Sequence, residues 1–129
     1  MRHLAAFLMI ALATAAQASP LTVRPGESWL FTVKDGQPVD ARRAEATAKP
    51  SKGQVMVTVR AVFGTTMVAT NNSATGYIFN AELMSGTKAT AARTCTLPAG
   101  NKPILEQWDR KADSVRISNF RAAGNEGRC

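Results

Sequence analysis

Two cysteines are the residues best placed to form a covalent bond in this 129-residue chain. Cys95 follows a segment rich in Ala and Thr, and Cys129 is the last residue. An even pair of cysteines in an oxidising compartment predicts one disulfide. It would close a loop of about 34 residues and contribute about 3–4 kcal/mol in the chain-entropy model. A redox-active C-x-x-C spacing is absent, which leaves an intermolecular bridge as the alternative.

Basic side chains concentrate near the C-terminus, in the company of Trp108 and Phe120. The basic positions are Arg110, Lys111, Arg116, Arg121 and Arg128. Arginine and aromatic side chains together bind phosphate backbones and acidic glycans. The sequence therefore predicts a surface that binds a polyanion or a protein partner. Its predicted residues are Trp108, Arg110, Lys111, Arg116 and Arg121. The alternative is an ordinary solvated strand face.

The residue types that most enzymes need are scarce. The one histidine, His3, lies in the N-terminal apolar segment. The rest of the chain therefore lacks the imidazole of Ser-His-Asp sites, of Cys-His sites and of most zinc sites. No phosphate-binding loop of the G-x-x-x-x-G-K-[ST] type is present. We therefore predict no catalytic residue, no cofactor and no metal, in a protein that is not an enzyme.

Two further groups of residues have both a chemical and a structural interpretation. Paired carboxylates are the machinery of glycosidases, and the acidic pairs are Glu106 with Asp109 and Asp35 with Asp40. Thioethers bind copper, and the methionines that follow residue 18 are Met56, Met67 and Met84. Because the chain is small and has no insertion that would build a cleft, we expect the carboxylates to form ion pairs on the surface. Because no histidine accompanies the methionines, we expect them to fill space in the core.

The first 18 residues have the composition of a secretory signal peptide. Arg2 and His3 precede an apolar run that begins at Leu4, and the motif A-Q-A ends at Ala18. This pattern predicts cleavage before Ser19. The apolar run is shorter than the roughly 20 residues of a spanning helix, so we expect no transmembrane segment in the mature chain. The predicted location is periplasmic or secreted.

The chain carries a strong positive charge. Sixteen Lys and Arg against nine Asp and Glu give a net charge of +7, and loss of residues 1–18 removes only Arg2, which leaves about +6. A basic protein favours anionic neighbours. Since export makes nucleic acid a poor physiological partner, the predicted partners are an anionic polymer or an unknown envelope or exported protein.

The stretch from Gln54 to Met84 predicts three consecutive strands. Its first part alternates with a period of two, and the positions that share its apolar face are Val55, Val57, Val59, Ala61 and Phe63. Turn-forming residues follow at 64–66 and at Asn71–Gly76, and each turn leads into another alternating segment. Because no helix-length insertion separates the strands, we expect an antiparallel meander.

Strand patterns continue on both sides of this stretch. Towards the N-terminus, segments 21–23 and 28–34 have strand character, and Asp35-Gly36 predicts a hairpin into segment 37–44. Pro38 marks that returning strand as an edge. Towards the C-terminus, segments 89–97 and 114–120 predict strands. Residues 103–112 fit either a strand or a short helix, and the surrounding β pattern favours the strand.

About seven short strands with closely spaced turns are typical of an all-β fold. We predict a signal peptide at 1–18 and a single domain at 19–129, folded as a small antiparallel β-sandwich of immunoglobulin-like type. A small β-barrel is the alternative.

These features predict an exported, non-enzymatic β-domain that acts as a binding or structural module in the periplasm or cell envelope. A binding module would present a contiguous patch of basic and aromatic side chains. The alternative is an inhibitor or adaptor of another exported protein, which would use loops such as Asn71–Gly76. A small hydrolase would instead need a cleft with a carboxylate of raised pKa.

Overall fold

Nine β-strands make up the regular structure of the part of the chain that is described. The computed structural model describes residues 19–124 and Cys129, so the predicted signal peptide and Arg128 lie outside the described residues. The strands are β1 (Leu21–Val23), β2 (Ser28–Lys34), β3 (Gln37–Ala44), β4 (Val55–Arg60), β5 (Thr65–Asn71), β6 (Tyr77–Ser85), β7 (Lys88–Ala92), β8 (Pro103–Trp108) and β9 (Ser114–Ala122). The described residues include no helix that is long and apolar enough to cross a membrane.

The strands form two antiparallel sheets that pack as a β-sandwich. A four-stranded sheet has the order β1-β9-β6-β7, and a five-stranded sheet has the order β3-β2-β4-β5-β8. One core cluster draws buried residues from both sheets, among them Phe79 and Val115 from the first and Phe31 and Val57 from the second. The predicted all-β sandwich is confirmed, with nine strands where the sequence predicted about seven.

The core has an aromatic centre at Phe120. Its ring lies 5.6 Å from that of Phe31, 5.7 Å from that of Tyr77 and 5.3 Å from that of Phe79, measured between centroids. Phe31 belongs to the five-stranded sheet and the other three rings to the four-stranded one. Edge-to-face and stacked aromatic pairs stabilise a core beyond simple burial, so this cluster holds the two sheets together.

The predicted apolar face of β4 is confirmed over its length but not beyond it. The three valines at 55, 57 and 59 are buried, whereas Ala61 and Phe63 are exposed. The strand ends at Arg60, and the chain then turns back into β5. The alternation of apolar residues continues in the sequence as far as Phe63, whereas the backbone leaves the sheet after Arg60. For this reason the sequence pattern predicted that Phe63 shares the apolar face of the valines.

The predicted three-strand meander is wrong after its first pair. β4 pairs with β5 as expected, but β5 then pairs with β8, and β6 pairs with β7 and β9 in the other sheet. The segment after Asn71 crosses between the sheets, with the Asn71 side-chain amide donating to the carbonyl of Thr75 at 2.7 Å. Local alternation predicts a strand but does not specify its neighbour.

Residues 103–108 form a strand, as the β context favoured. Burial alternates along β8 with a period of two, and Ile104 and Trp108 pack against the core. The predicted strand over 89–97 is shorter than expected and ends at Ala92. The chain leaves the sheet there and reaches Leu97, which is buried and pairs with Tyr77 in an isolated bridge.

The hairpin at Asp35-Gly36 forms as predicted. Both residues have positive φ, 51° and 78°, the backbone that a two-residue type I′ turn requires. The returning strand β3 lies at the edge of its sheet, as Pro38 indicated.

A loop covers part of the outer face of the five-stranded sheet. Met56 points away from the three core valines of β4, as its place in the alternation predicts, yet it is only 7% exposed. The loop between β3 and β4 lies over it: Pro50 is buried and lines a shallow depression with Met56. Asn72 holds the loop, since its side-chain amide donates to the carbonyl of Pro50 at 2.9 Å.

The predicted disulfide is present. Cys95 and Cys129 are bonded, with their Cα atoms 5.1 Å apart, and no cysteine of the described residues is free. The bond joins the end of the described chain to the segment that follows β7. An intramolecular disulfide is compatible with an exported protein.

Candidate functional site

The predicted basic surface divides into separate parts. Arg116 and Arg121 project from the outer face of β9, where their neighbours Val115, Ile117 and Phe120 point into the core. Arg110 and Lys111 follow β8 in the loop that leads to β9, and both are exposed. Arg116 and Arg121 are five positions apart, and they share a face because the pairing of β6 with β9 shifts register between Ile78 and Asn80. The two loop residues lie at one end of the sandwich.

Arg116 is neutralised by a carboxylate from the adjacent strand. Glu82 of β6 is its direct partner in the register of β6 and β9. Its Oε1 atom accepts from the Arg116 Nε at 3.0 Å and lies 2.9 Å from the Nη2. Each side chain is one-third exposed. An anion would therefore compete with Glu82 for this guanidinium.

Arg121 is held in place without a carboxylate partner among the described residues. Its Nη1 donates to the carbonyl of Asn119 at 2.8 Å and to the Asn80 Oδ1 at 3.3 Å. Both acceptors are neutral, so the positive charge is positioned but not cancelled. An arginine has five donors in a fixed fork, which leaves further N–H groups of Arg121 for an anionic ligand.

A groove runs along the outer face of the four-stranded sheet beside Arg121. This outer groove has a volume of about 770 Å³, and its polar and small side chains include Asn80, Glu82, Ala91, Arg93, Ser118 and Arg121. Asn80 and Ser118 are direct neighbours across β6 and β9. Ala91 supplies no bulk on the β7 side. The small side chains leave room for the groove, and Arg93 and Arg121 supply its positive charge.

The sequence prediction did not include Arg93. It is exposed, and none of the described carboxylates forms an ion pair with it. Arg93 follows directly after β7, whereas Arg121 lies in β9, and β6 lies between these two strands in the sheet. Only the sheet order brings the two arginines to one groove. A search for basic clusters within a short window could not find this pair.

Trp108 has a structural role. It is half-buried against the core, and its Nε1 donates to the backbone carbonyl of Arg93 at 2.9 Å. Its indole therefore fixes the segment that carries Arg93 instead of standing free as a stacking platform. The disulfide fixes the same region, because Cys95 lies two residues further on and Cys129 lines the outer groove.

A second group of basic side chains lies at one end of the sandwich. Lys88, Arg110 and Lys111 line a shallow depression of about 220 Å³ next to Thr90. The Arg110 Nη1 donates to the Thr90 Oγ1 at 2.9 Å. The predicted surface thus separates into the outer groove with Arg121 and this end group with Arg110 and Lys111.

The acidic pairs do not form a dyad in a cleft. Glu106 is buried on β8, where its Oε1 accepts from the backbone amide of Cys95 at 2.5 Å, and burial raises its pKa above the ordinary 4.5. Asp109 is exposed in the following loop, and Asp35 and Asp40 are exposed residues of the β2–β3 hairpin.

Metal-ligand geometry is likewise not found in the described part of the chain. No group of three or more His, Cys, Asp or Glu lies there in a position to hold a metal ion. Of the methionines, Met67 is fully buried in the core, Met56 is buried beneath the β3–β4 loop and Met84 is half-buried.

Comparisons with protein-family models, with curated proteins and with solved structures find no match to this chain.

Proposed function

We propose that this protein is an exported, non-enzymatic binding module that takes an anionic polymer along the outer groove. One observation carries the proposal: Arg93 and Arg121 flank a groove of about 770 Å³, and no described carboxylate is paired with either. Guanidinium groups bind carboxylate, sulfate and phosphate in a bidentate fashion. Asn80 and Ser118 between them add neutral hydrogen-bonding groups.

The arrangement fits a binding role better than a catalytic one. Glu82 is the one carboxylate side chain among the described residues that line the groove, and it is engaged by Arg116. The groove therefore offers positive charge and hydrogen bonds, and its one acidic side chain is already paired. An open groove on a sheet face also suits an extended polymer of the cell envelope. The net charge, +7 for the full chain and about +6 without residues 1–18, attracts such a polymer over a longer range.

The test is elution of the Ser19–Cys129 chain from a heparin column with rising salt. Arg93→Glu and Arg121→Glu should elute at clearly lower salt than wild type. Arg42→Glu is the matched control, because Arg42 is an exposed residue of β3 in the other sheet and its reversal changes the net charge by the same amount. Equal elution of all three variants would mean that net charge alone drives binding, and the groove would not be the site.

The second candidate function, an adaptor or inhibitor of another exported protein, has support in the Asn71–Gly76 loop. Hydrogen bonds brace the loop: the Ser73 Oγ donates to the Thr75 carbonyl at 2.9 Å, and the Ser73 carbonyl accepts from the Gly100 amide at 3.1 Å. Ala74 and Thr75 are exposed at its tip. A preordered loop loses little entropy on binding.

A pull-down from envelope extract distinguishes the two functions. If the loop is the contact, Ala74→Arg should release a protein that wild type retains through high salt. The same variant should not lower the salt concentration at which the protein elutes from heparin, since position 74 lies outside the outer groove. Retention of the same proteins by wild type and Ala74→Arg would rule out this contact.

A further inference from the structure

The turn between β4 and β5 exposes two large apolar side chains. Val62 is 46% exposed and Phe63 is 81% exposed, the highest value among the exposed large apolar residues that the structure describes. We call these two residues the apolar tip. Phe63 has φ of 49°, which is an outlier for a bulky aromatic residue. Strained backbone persists only where the surrounding structure enforces it, and it clusters at functional sites.

The turn is supported firmly by the loop that follows β8. A Cβ atom at Gly64 would lie only 2.7 Å from the carbonyl carbon of Asp109, so the two backbones are in close contact. Thr65 adds two bonds: its Oγ1 donates to the carbonyl of Arg110 at 2.8 Å and accepts from the amide of Ala112 at 2.9 Å. Backbone contact and two hydrogen bonds therefore join the turn that carries the apolar tip to the 109–112 loop as one structural unit.

Basic side chains surround this unit. The residues that we call the basic collar are Arg60, Lys88, Arg110 and Lys111, all of them exposed. Arg60 ends β4 directly before the turn, and the other three lie together beside the loop. The opposing charges include Asp109, which is exposed, and Asp113, whose Oδ2 accepts from the Gly86 amide at 2.7 Å. Glu27 also lies at this end, since its carbonyl accepts from the Val59 amide, but its carboxylate is paired with Arg43. The end of the sandwich remains positively charged.

We propose that the apolar tip and the basic collar dock the protein on the surface of an anionic lipid bilayer. Phe63 would enter the region between headgroups and acyl chains, where aromatic side chains are favoured. The basic collar would lie over the headgroup phosphates, which attract nearby Lys and Arg. The surface uses none of the residues that line the outer groove, so it is independent of the proposed polymer site.

Size and charge decide between a bilayer and other occupants. A stable protein interface buries about 800 Å² on each partner, far more than the side chains of one turn can supply, whereas shallow insertion into lipid needs only such a tip. A second copy of the chain would bring two basic collars together, which like-charge repulsion opposes. Anionic lipid satisfies both the apolar and the charged components.

Co-sedimentation with vesicles tests the proposal. The probe is the Ser19–Cys129 chain, which holds all nine described strands and both cysteines and lacks the apolar segment 4–13, which would bind lipid by itself. Vesicles of phosphatidylglycerol and phosphatidylcholine in equal parts should sediment the protein at low salt, and vesicles of phosphatidylcholine alone should sediment far less. Failure to sediment with the anionic vesicles, or equal sedimentation with both, would overturn the proposal.

Phe63→Asn is the decisive variant. It removes the aromatic ring, and asparagine tolerates positive φ, so the fold should keep its melting temperature. Vesicle affinity should fall about tenfold, near the lower limit for loss of a buried aromatic side chain. The matched control is Leu105→Asn, since Leu105 is 63% exposed on the outer face of β8 and outside the basic collar. Equal vesicle binding by Phe63→Asn and wild type would overturn the proposal.

The basic collar is tested separately by Lys111→Ala. One cation near an anionic surface is worth about a fivefold change in affinity, and the loss should disappear at high salt, where screening removes the term. Arg42→Ala, in the edge strand β3 and outside the basic collar, should leave vesicle binding close to that of wild type. Equal losses in the two variants would show that net charge, and not this end of the molecule, brings the protein to the vesicle.

Discussion

The carboxylate of Glu106 and the backbone amide of Cys95 lie 2.5 Å apart and join the edges of the two sheets. Glu106 belongs to β8, the edge of the five-stranded sheet, and Cys95 follows β7, the edge of the four-stranded one. Trp108 and Arg110, at alternate positions further along, bond to the Arg93 carbonyl and the Thr90 hydroxyl. These side chains close one side of the sandwich and fix the segment that carries Arg93.

Replacement of Glu106 by Gln should stabilise the protein at neutral pH. Burial raises the pKa of Glu106 above its ordinary 4.5, so the folded chain binds this proton more tightly than the unfolded chain. The free energy of unfolding therefore falls as the pH rises from about 4.5 through the raised pKa. Gln keeps an oxygen for the Cys95 amide but carries no charge. Urea unfolding should show Glu106→Gln above wild type at pH 7, with the difference closing at pH 4; a constant difference would contradict this account.

Glu27 should show the opposite dependence. The amide of Arg24 donates to its carboxylate at 3.0 Å, and this bond, with those from Trp29 and Arg43, lowers the pKa of Glu27 below 4.5 in spite of partial burial. Its stabilisation is present above the unfolded pKa and is lost as the pH falls through the folded pKa. Glu27→Gln should be less stable than wild type at pH 7 and approach it on acidification. The same urea series would reject this assignment if the variant were equally stable at pH 7.

Loss of the disulfide should destabilise the domain without changing its fold. Cys95 and Cys129 close a loop with a sequence separation of 34, for which the chain-entropy model gives about 3–4 kcal/mol. Cys95→Ser should therefore melt well below the oxidised wild type and close to the reduced wild type, with the same β-rich circular dichroism spectrum. Identical melting of wild type in oxidising and reducing buffer would show that the bond adds no stability.

Substitution of Gly53 and of Gly64 by Ala should distinguish the cost of backbone strain from the cost of steric contact. Gly53 and Gly64 have nearly equal φ, 87° and 90°, but a Cβ at Gly53 meets nothing within 4 Å, whereas one at Gly64 meets the backbone of Asp109. Gly53→Ala should lose about 1 kcal/mol through strain alone. Gly64→Ala should lose about 1–3 kcal/mol more, because the β4–β5 turn must move away from the β8–β9 loop. If both variants lost the same free energy of unfolding in denaturant, the contact between residue 64 and the Asp109 backbone would relax without an energetic cost.

The strands were predictable because their signals are local. Alternation of Val with polar residues identified β4, and Asp35-Gly36 gave the hairpin together with the full extent of β3, 37–44. Pro38 indicated the edge position of β3, since a residue without an N–H cannot serve a central strand on both sides. Each of these signals depends only on residues a few positions apart.

The pairing of the strands and the outer groove were not predictable, because they depend on residues far apart in sequence. The predicted meander pairs β5 with β6, whereas in the structure β5 pairs with β8. No local sequence pattern distinguishes these two possible neighbours. The sequence does not show that Arg116 has an acidic partner, because Glu82 lies beside it only through the register of β6 and β9. Arg93 joins Arg121 only through the order β9-β6-β7.

The most direct test of the outer groove is an amide chemical-shift titration of the Ser19–Cys129 chain with a short heparin oligosaccharide. The proposed function predicts that the largest changes fall on β6, β7 and β9 around Asn80, Ala91 and Ser118, with small changes in β3 despite its two exposed arginines. The Arg121→Glu variant should lose this pattern. Changes spread evenly over all exposed basic residues, or concentrated at β3, would contradict a site in the outer groove.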